Sequence, residues 1–195
     1  MHRERGLFPP VLLDGEIEGE RRAHHLRRKD DIPTNCLIKI VDRFFEKVPL
    51  ATLSSDIMIG FPGETDHDHR VLVKYLRSTP YHHLHVFPYS RRPGTAAARF
   101  SDQVGPELKK ERRDQVLDLA NKLKVKSLKK MYGRRTTAIF EREWKPGWYK
   151  GTTYNGMSVV AKAGPAVINK RVPVEIVRRA GNDLVGKVER CRSYT

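Results

Sequence analysis

Cysteine and long apolar runs are the features that this sequence lacks most clearly. Its 195 residues contain two cysteines, Cys36 and Cys191, which are too few for a disulfide framework and fit a reducing compartment. No apolar run reaches the ~18 residues that a membrane-spanning helix needs, and no signal-peptide core follows the opening Met-His-Arg-Glu-Arg-Gly. The sequence therefore predicts a soluble, cytoplasmic protein that does not bind membranes.

Acidic residues are scarce in the second half of the chain. Residues 1–105 hold 16 Lys and Arg against 14 Asp and Glu, whereas residues 106–195 hold 22 against 9. Most of the net charge of +15 therefore lies after residue 105. A well-solvated basic surface explains such an excess without any partner. A polyanion partner is the favoured explanation, and nucleic acid is the commonest polyanion.

Two apolar segments run straight into Gly/Pro turns, with a helical pattern between them. They are Asp56-Ile-Met-Ile-Gly-Phe-Pro-Gly-Glu-Thr65 and Leu84-His-Val-Phe-Pro-Tyr-Ser-Arg-Arg-Pro-Gly-Thr95. Thr65 and Asp68 fit a capping box that opens the helix, which is expected to end near Ser78. Its apolar stripe is predicted to contain Val71, Leu72, Tyr75 and Leu76. The pattern predicts a β-α-β unit, which places both turns at the carboxyl edge of a parallel sheet, where α/β folds bind ligands.

Two further helices and a group of short strands are predicted around this unit. Apolar residues at helical spacing predict a helix from Thr34 or Asn35 to about Val48, and a long basic helix spans Glu107 to Met131. Gly133 is suited to a left-handed C-cap of that second helix. Beyond it, five short β-rich runs between turn residues predict a small closed or nearly closed barrel. The runs are 136–140, 148–153, 157–161, 172–178 and 184–188.

Several histidines lie close together in sequence, but their spacing argues against a metal site. His67 and His69 diverge at the start of a helix, and alternate strand positions bring only His83 and His85 to one face. Neither pair supplies the ligands of a tetrahedral site. The sequence therefore predicts no metal bound by histidine.

The two turn segments, taken together, closely resemble the second half of the radical S-adenosylmethionine methylthiotransferases. The resemblance runs from about Pro33 to about Val188 and is most similar to the branch that methylthiolates N6-threonylcarbamoyladenosine beside the tRNA anticodon. It implies an α/β, partial TIM-like radical S-adenosylmethionine barrel, then a long helix and a TRAM domain, which is a small all-β, OB-like barrel that binds RNA. The expected domains are a divergent amino terminus (1–32), the barrel part (33–105), a basic linker helix (106–133) and the TRAM-like barrel (134–195).

The resemblance also implies where cofactor and RNA bind. In these enzymes this edge of the barrel lies along S-adenosylmethionine, which assigns to the cofactor Gly60, Phe61, Pro62, Gly63, Glu64, Val86, Phe87 and Tyr89. A simple turn and core packing also account for these residues, and Glu64 can instead complement a helix N-terminus. RNA contact is expected from Trp144 to Tyr154 and from cations near it. The residues assigned to RNA are Arg91, Arg92, Lys109, Arg112, Arg142, Trp148, Lys150 and Tyr154.

The cysteine count limits what this chain is expected to do. The family takes three ligands of its [4Fe-4S] cluster from a Cys-x-x-x-Cys-x-x-Cys loop, and this sequence contains no such loop. We therefore expect a carboxyl-terminal fragment that ligates no cluster, is inactive alone, and needs a separate polypeptide carrying the amino-terminal half. Its expected partner is tRNA. The alternatives are a non-enzymatic RNA-binding protein that uses the barrel and the basic helix, and a decayed gene product without stable function.

Overall fold

The computed structural model describes the backbone of residues 34–189 and the side chains of residues 39–189. The predictions for residues 1–32 and for the thiols of Cys36 and Cys191 lie outside this range. The described chain divides into two compact units. Unit 1 contains residues 34–41 and 53–121, and unit 2 contains residues 42–52 and 122–189. The chain therefore enters unit 2 twice.

Unit 1 is built on a parallel β-α-β motif, as the sequence predicts. Strand β1 (Ser54–Ile59) pairs in parallel with β2 (His83–Pro88), and a helix, Asp66–Ser78, connects them. Thr65 Oγ1 accepts a hydrogen bond from the Asp68 amide, and the Asp68 carboxylate accepts one from the Thr65 amide. The predicted capping box is therefore confirmed, and it fixes where the helix begins.

One face of the sheet and one side of the connecting helix are buried in unit 1. The buried strand residues include Ile57, Ile59 and Leu84. The buried apolar residues of the helix are Leu72, Val73, Tyr75 and Leu76. The predicted stripe was wrong at Val71, which is 38% exposed, and it omitted Val73. The two valines are chemically identical and two positions apart, so the rotation of the helix about its axis, which sequence composition does not encode, decides which one is buried.

Two other helices are shared between the units. Helix α1 (Thr34–Lys47) precedes the sheet, the connecting helix Asp66–Ser78 is α2, and the long basic helix is α3 (Pro106–Lys129). After α3, Gly133 adopts φ +70°, and its N–H donates to the carbonyl oxygen of Ile176 (2.7 Å). The predicted left-handed glycine is therefore present. No helix in the described chain is long and apolar enough to cross a membrane.

Unit 2 contains a closed barrel of five strands. They are β3 (Arg135–Lys145), β4 (Trp148–Thr153), β5 (Ser158–Lys162), β6 (Arg171–Ala180) and β7 (Asp183–Val188). Their order around the barrel is β3-β4-β5-β7-β6, and β5 and β7 run parallel. The prediction of a small five-stranded barrel is confirmed, and both β3 and β6 extend beyond the predicted runs. Fully buried residues at its centre include Phe140, Val159, Val174, Ile176 and Leu184.

Residues 42–52, which we call the strap, pack with the barrel. Leu50 lies against the barrel core, and its carbonyl oxygen accepts a hydrogen bond from Asn155 Nδ2 (2.7 Å). Thr52 Oγ1 donates to the Asn155 carbonyl oxygen (2.7 Å). Asn155 is itself buried, and its Oδ1 accepts from Thr153 Oγ1 (2.7 Å). The contacts thus group the strap with the barrel, whereas the predicted domain 33–105 grouped it with the β-α-β motif.

Candidate functional site

The turn after β1 lies at the carboxyl end of the parallel sheet and depends on two glycines. Gly60 has φ +73° and Gly63 has φ +88°, values that favour glycine. The Gly60 N–H donates to Glu64 Oε2 (2.6 Å), and the Gly63 N–H donates to the Asp102 carbonyl oxygen (2.9 Å). The turn is therefore fixed by its own hydrogen bonds. The sequence carried no signal for Asp102, because that contact is made by its backbone.

A charged network holds this turn to α3. Arg112 is 4% exposed, and its Nη1 donates to Glu64 Oε1 (2.7 Å) and to the Glu64 carbonyl oxygen (3.2 Å). Its Nη2 donates to Asp66 Oδ1 (2.6 Å). This hydrogen bond, together with the Arg112 charge, holds the pKa of Asp66 below its usual value. The Glu64 carboxylate thus has two partners within the chain, and the guanidinium of Arg112, predicted for RNA, is engaged with carboxylates.

Lys109 lies against the same turn. Its Nζ donates to the Tyr89 carbonyl oxygen (3.4 Å) and lies 5.8 Å from the centre of the Tyr89 ring. A Cβ atom at Gly60 would collide with Cγ of Lys109, so the lysine stem occupies the space beside that glycine. Phe61 and Tyr89 meet edge to face, with ring centroids 5.3 Å apart. Lys109, predicted for RNA, therefore lies at the predicted cofactor edge.

A buried hydroxyl at this edge has no hydrogen-bond partner within the described chain. Tyr89 Oη is buried and makes no hydrogen bond there, although the Tyr89 amide donates to the Ile59 carbonyl oxygen (2.7 Å). A buried hydroxyl without a partner is destabilising unless a ligand or water binds it. Phe87, 39% exposed, and Val86, half-buried, are adjacent on β2, so their side chains point to opposite faces of the sheet. The structure brings together the turn, Phe87 and Tyr89, and it places Val86 on the core face.

Three of the predicted RNA residues lie together on the outer surface of the β3–β4 hairpin. Arg142 on β3 pairs with Lys150 on β4, and Trp148 is the first residue of β4. Lys150 Nζ lies 3.0 Å from each carboxylate oxygen of Asp183, which partly neutralises its charge. Alternation along β4 places Trp148 and Lys150 on the outer face, opposite the buried residues of that strand. Arg142 reaches the same face because a register shift between Phe140 and Arg142 interrupts the alternation of β3.

The tip of this hairpin combines a cation with two indole rings. Lys145 Nζ lies 5.0 Å from the centre of the Trp144 ring and 4.9 Å from the centre of the Trp148 ring. Trp144 remains 46% exposed. Gly147, with φ +71°, makes the tight turn between the strands. The spacing of Trp, Lys, Pro, Gly and Trp was visible in the sequence, but the contact of one ammonium group with both rings was not.

The remaining predicted RNA residues lie elsewhere. Tyr154, 64% exposed, follows β4 at the end opposite Trp148, and a strand of this length spans about 20 Å. Arg91 and Arg92 are exposed in the loop after β2, where Arg91 Nε donates to the Ala98 carbonyl oxygen (2.8 Å). The structure therefore separates Tyr154 from the other three predicted RNA residues of the barrel.

Three of the described histidines, His69, His83 and His85, make side-chain contacts within unit 1. The His83 and His85 rings meet edge to face, with centroids 4.3 Å apart. His69 is buried, and its Nε2 forms a hydrogen bond with Gln115 Oε1 (2.5 Å). Across the described side chains, no group of three or more His, Cys, Asp and Glu residues is placed to hold a metal ion.

Comparisons with known proteins relate the chain to a family of modifying enzymes. No family model matches it. It is 35% identical over 149 residues, 76% of this chain, to the tRNA-2-methylthio-N(6)-dimethylallyladenosine synthase of Endomicrobium trichonymphae. It is 32% identical over 143 residues, 71% of this chain, to the threonylcarbamoyladenosine tRNA methylthiotransferase MtaB of Bacillus subtilis. The homologues of this chain are methylthiotransferases.

A third methylthiotransferase is named for a protein target. The ribosomal protein uS12 methylthiotransferase RimO of Thermus thermophilus is 30% identical over 155 residues, 76% of this chain. The chain spans about a third of the length of these relatives, namely 35%, 32% and 36% in the order given. The predicted relationship to methylthiotransferases is confirmed. The relatives' names specify different targets, so homology at this level does not single out the threonylcarbamoyladenosine branch.

Proposed function

We propose that this chain is the carboxyl-terminal part of a tRNA methylthiotransferase. In this proposal β1 and β2 are neighbouring strands of a radical S-adenosylmethionine barrel, and the five-stranded barrel of unit 2 is an RNA-binding TRAM domain. The observation that carries the proposal is the homology to methylthiotransferases over about three quarters of the chain. The parallel β-α-β motif, with a turn at the carboxyl end of each strand, supports the barrel assignment.

We assign one wall of the S-adenosylmethionine site to the edge after β1 and β2. The buried Tyr89 hydroxyl is available to hydrogen-bond a ligand, and the exposed Phe87 ring offers an apolar surface to adenine. The role of Gly60 and Glu64 is to hold the turn in shape, because the amide of one already binds the carboxylate of the other. When bound, S-adenosylmethionine supplies a methyl group and, with a reduced [4Fe-4S] cluster, a radical. A cluster does not fit the residues present, because the sequence contains two cysteines.

We assign RNA binding to the outer face of the β3–β4 hairpin. Arg142 and Lys145 supply cations for phosphate groups, and Trp144 and Trp148 supply planes on which unpaired bases stack. The excess of basic residues after residue 105 supplies the long-range attraction to a polyanion. Arg112 is left out of this surface, since it is buried and ion-paired.

The target we propose is N6-threonylcarbamoyladenosine beside the anticodon, because the two turn segments resemble that branch. N6-dimethylallyladenosine is the second candidate, because the Endomicrobium relative is named for it. Mass spectrometry of tRNA nucleosides from cells with and without the gene distinguishes them. Loss of the methylthio group from the threonylcarbamoyl nucleoside is expected, whereas loss from the dimethylallyl nucleoside alone would exclude our target.

Anaerobic reconstitution with iron and sulfide tests the fragment assignment. The chain alone is expected to take up no cluster and to show no visible cluster absorbance. Co-expression with a polypeptide that carries the amino-terminal two thirds of the Endomicrobium relative is expected to restore methylthiolation of tRNA. A near-stoichiometric cluster in the chain alone would contradict the assignment. Failure of complementation, with RNA binding intact, would favour the non-enzymatic RNA-binding alternative.

Binding of tRNA at several salt concentrations tests the hairpin surface. The double variant R142A/W148A should bind at least about tenfold more weakly and reduce the salt slope by about one, because one phosphate contact and one stacking plane are lost. The Y154A variant is the matched control, since Tyr154 is exposed but lies at the far end of β4. An equal loss of affinity in Y154A would exclude the hairpin as the specific RNA surface.

A further inference from the structure

The outer face of α2 carries basic side chains that the proposed function leaves without a role. Arg70, Lys74 and Arg77 are all exposed, and they follow one another at intervals of four and three residues. Residues at these intervals lie on one side of a helix, which here is opposite the buried Leu72 and Leu76. We call Arg70, Lys74 and Arg77 the α2 stripe. It concentrates three positive charges on one accessible surface of unit 1.

The acidic residues of the same helix do not neutralise the α2 stripe. There are two of them, and both have other partners. Asp68 is buried in the capping box, and Asp66 Oδ1 accepts a hydrogen bond from Arg112 (2.6 Å). Within the described chain, no salt bridge joins an acidic side chain to a residue of the α2 stripe. The helix macrodipole accounts only for Arg77, because a helix C-terminus attracts cations within its last turn.

The overall charge of this part of the chain gives no reason to expect such a stripe. Residues 53–121, the main segment of unit 1, hold 10 Lys and Arg against 9 Asp and Glu. This segment is therefore almost neutral, and the α2 stripe is a local separation of charge within it. A basic face that is not neutralised by neighbouring acids attracts a polyanion.

The other side chains of α2 distinguish between kinds of polyanion. Tyr75 is the one Phe, Tyr or Trp residue of α2, and it is buried, while Val71 is the one large apolar residue that is exposed. A helix that lies on a lipid surface needs several bulky apolar side chains beside its cations, and a protein interface needs an apolar or aromatic centre. Without an exposed aromatic ring of this kind, α2 also offers no platform on which unpaired bases stack. These features favour a phosphate backbone whose bases are paired.

We propose that the α2 stripe is a second RNA surface, which binds the backbone of a base-paired stem. Its three cations span about 10 Å of helix axis, and one strand of a duplex presents a phosphate about every 3.4 Å of its axis. The guanidinium groups of Arg70 and Arg77 have the geometry to donate two parallel hydrogen bonds to a phosphate, and Lys74 adds a point charge between them. Contacts of this kind position an RNA without reading its sequence.

The inference rests on the proposed function, because it takes RNA as the partner. It adds a division of that RNA between two surfaces. The tryptophans of the β3–β4 hairpin receive unpaired nucleotides, and the α2 stripe, which has cations but no stacking platform, receives a paired stem.

Titration of the full chain with a blunt RNA duplex and with a single-stranded RNA of the same length, at several salt concentrations, tests this assignment. In the variant R70Q/K74Q/R77Q, which we call the α2 variant, affinity for the duplex should fall at least about tenfold. The salt slope should fall by about two to three, because each lost phosphate contact lowers it by about one. Affinity for the single strand should fall by less than about twofold, because the aromatic platform of the hairpin is unchanged.

The variant K39Q/R43Q/K47Q, which we call the α1 control, is matched to the α2 variant. It removes the same charge from exposed positions of a helix at similar spacing. On α1, however, the exposed acidic residues Asp42 and Glu46 lie among these cations. The duplex affinity of the α1 control should therefore change by less than about twofold, because salt screens charges that do not contact the RNA.

The conservative variant R70K/R77K separates charge from hydrogen-bond geometry. It should keep the salt slope of the wild type, because the number of cations is unchanged. It should bind the duplex several-fold more weakly, because lysine cannot donate two parallel hydrogen bonds to one phosphate. Circular dichroism checks that each variant is folded, and glutamine and lysine have helix propensities close to that of arginine.

Three outcomes would overturn this inference. The first is an unchanged salt slope for the duplex in the α2 variant, and the second is an equal loss of duplex affinity in the α1 control. The third is that the α2 variant loses binding to phosphatidylserine vesicles but keeps binding to the duplex, which would assign the face to a membrane surface.

The α2 stripe and the β3–β4 hairpin are tested by different variants, so their failures are distinguishable. If R142A/W148A loses affinity for tRNA as expected while the α2 variant binds the duplex like the wild type, this inference alone is refuted. The reverse result refutes the hairpin assignment alone. If the wild-type chain binds neither RNA, both assignments are refuted.

Discussion

Arg112 shows how one residue holds a functional turn. Its guanidinium donates hydrogen bonds to the carboxylate and the carbonyl oxygen of Glu64 and to the carboxylate of Asp66. It therefore binds three acceptors at the start of α2. It is nearly inaccessible to water, whereas the neighbouring Arg113 pairs with Asp114 on the surface. Arg112 and Arg113 carry the same charge and lie on the same helix, but only Arg112 is buried.

Replacing each arginine by alanine should therefore have unequal effects. R112A should destabilise unit 1 by about 3 kcal/mol, because it leaves the largely buried Glu64 carboxylate without its cation. R113A should change stability by less than about 0.5 kcal/mol, because exposed ion pairs contribute little. Hydrogen exchange of peptides from β1 and α2 measures this difference within unit 1. Equal protection in the two variants would show that the network does not stabilise the turn.

At the scale of single residues, the sequence predicted which residues form the turn better than it predicted which residues contact them. Gly60 and Gly63 were assigned to a ligand edge or to a simple turn, and both have positive φ, as a tight turn requires. What approaches Gly60, however, is the stem of Lys109. The partners Lys109, Asp102 and Arg112 come from more than 35 residues away in the chain, and local patterns carry no information about such distant contacts.

At the scale of elements, the contact between the β1 turn and α3 predicts a clear mutational pattern. G60A adds a Cβ atom that strains the backbone at φ +73° and also collides with Lys109. The expected cost is about 2–4 kcal/mol, of which about 1–2 kcal/mol is backbone strain. The double variant G60A/K109A should regain the part of the stability that G60A loses through the collision with Lys109. G94A, at φ +87° with no atom within 4 Å of the added Cβ, isolates the backbone part.

Hydrogen exchange of the β1 and α2 peptides again provides the measurement. If G60A and G94A were equally destabilising, or if removal of the Lys109 side chain did not improve G60A, the packing of α3 against the turn would have no energetic importance. K109A alone, in the wild-type background, is the control for loss of the Lys109 contact with the Tyr89 carbonyl oxygen.

The elements themselves were largely predictable, for physical reasons. The capping box at Thr65, the alternation of β4 and the left-handed Gly133 are local signals, because each depends on residues a few positions apart. The parallel pairing of β1 with β2 followed from the helix between them. The error at Val71 arose because the rotation of a short helix is set by tertiary packing.

At the scale of the whole molecule, the strap predicts that the barrel depends on residues far from it in sequence. N155A removes the donor to the Leu50 carbonyl oxygen and the acceptor for Thr153 Oγ1, both in a buried site. The expected destabilisation of unit 2 is about 2–3 kcal/mol. N121A, at an exposed position of α3, should change stability by less than about 0.5 kcal/mol.

Tryptophan fluorescence during urea unfolding measures this effect, because both tryptophans of the chain lie in the β3–β4 hairpin of the barrel. A shorter chain, 134–195, should be less stable than the full chain by the same measurement, since it lacks the strap and also Leu128 and Met131, which are buried in the barrel core. If N155A unfolded at the same urea concentration as the wild type, the hydrogen bonds to the strap would contribute nothing measurable to the stability of the barrel.

The division into units was not visible in the sequence. The sequence predicts successive segments with boundaries near residues 32, 105 and 133, and no segment is expected to be interrupted by another. The strap belongs to unit 2 because of hydrogen bonds at sequence separations of 103 and 105 residues, which no compositional boundary marks. The charge asymmetry and the turn segments, by contrast, were enough to predict the RNA surface and the methylthiotransferase relationship, of which the second is confirmed.

The double passage of the chain through unit 2 has a consequence for proteins split in two. A cut anywhere between Leu53 and Asn121 leaves the strap on one polypeptide and the barrel strands on the other. Both pieces then contribute to unit 2, because the strap of one piece packs against the barrel of the other. The two pieces of such a break are therefore expected to remain associated without a covalent link, through the contacts of Asn155 with Leu50 and Thr52.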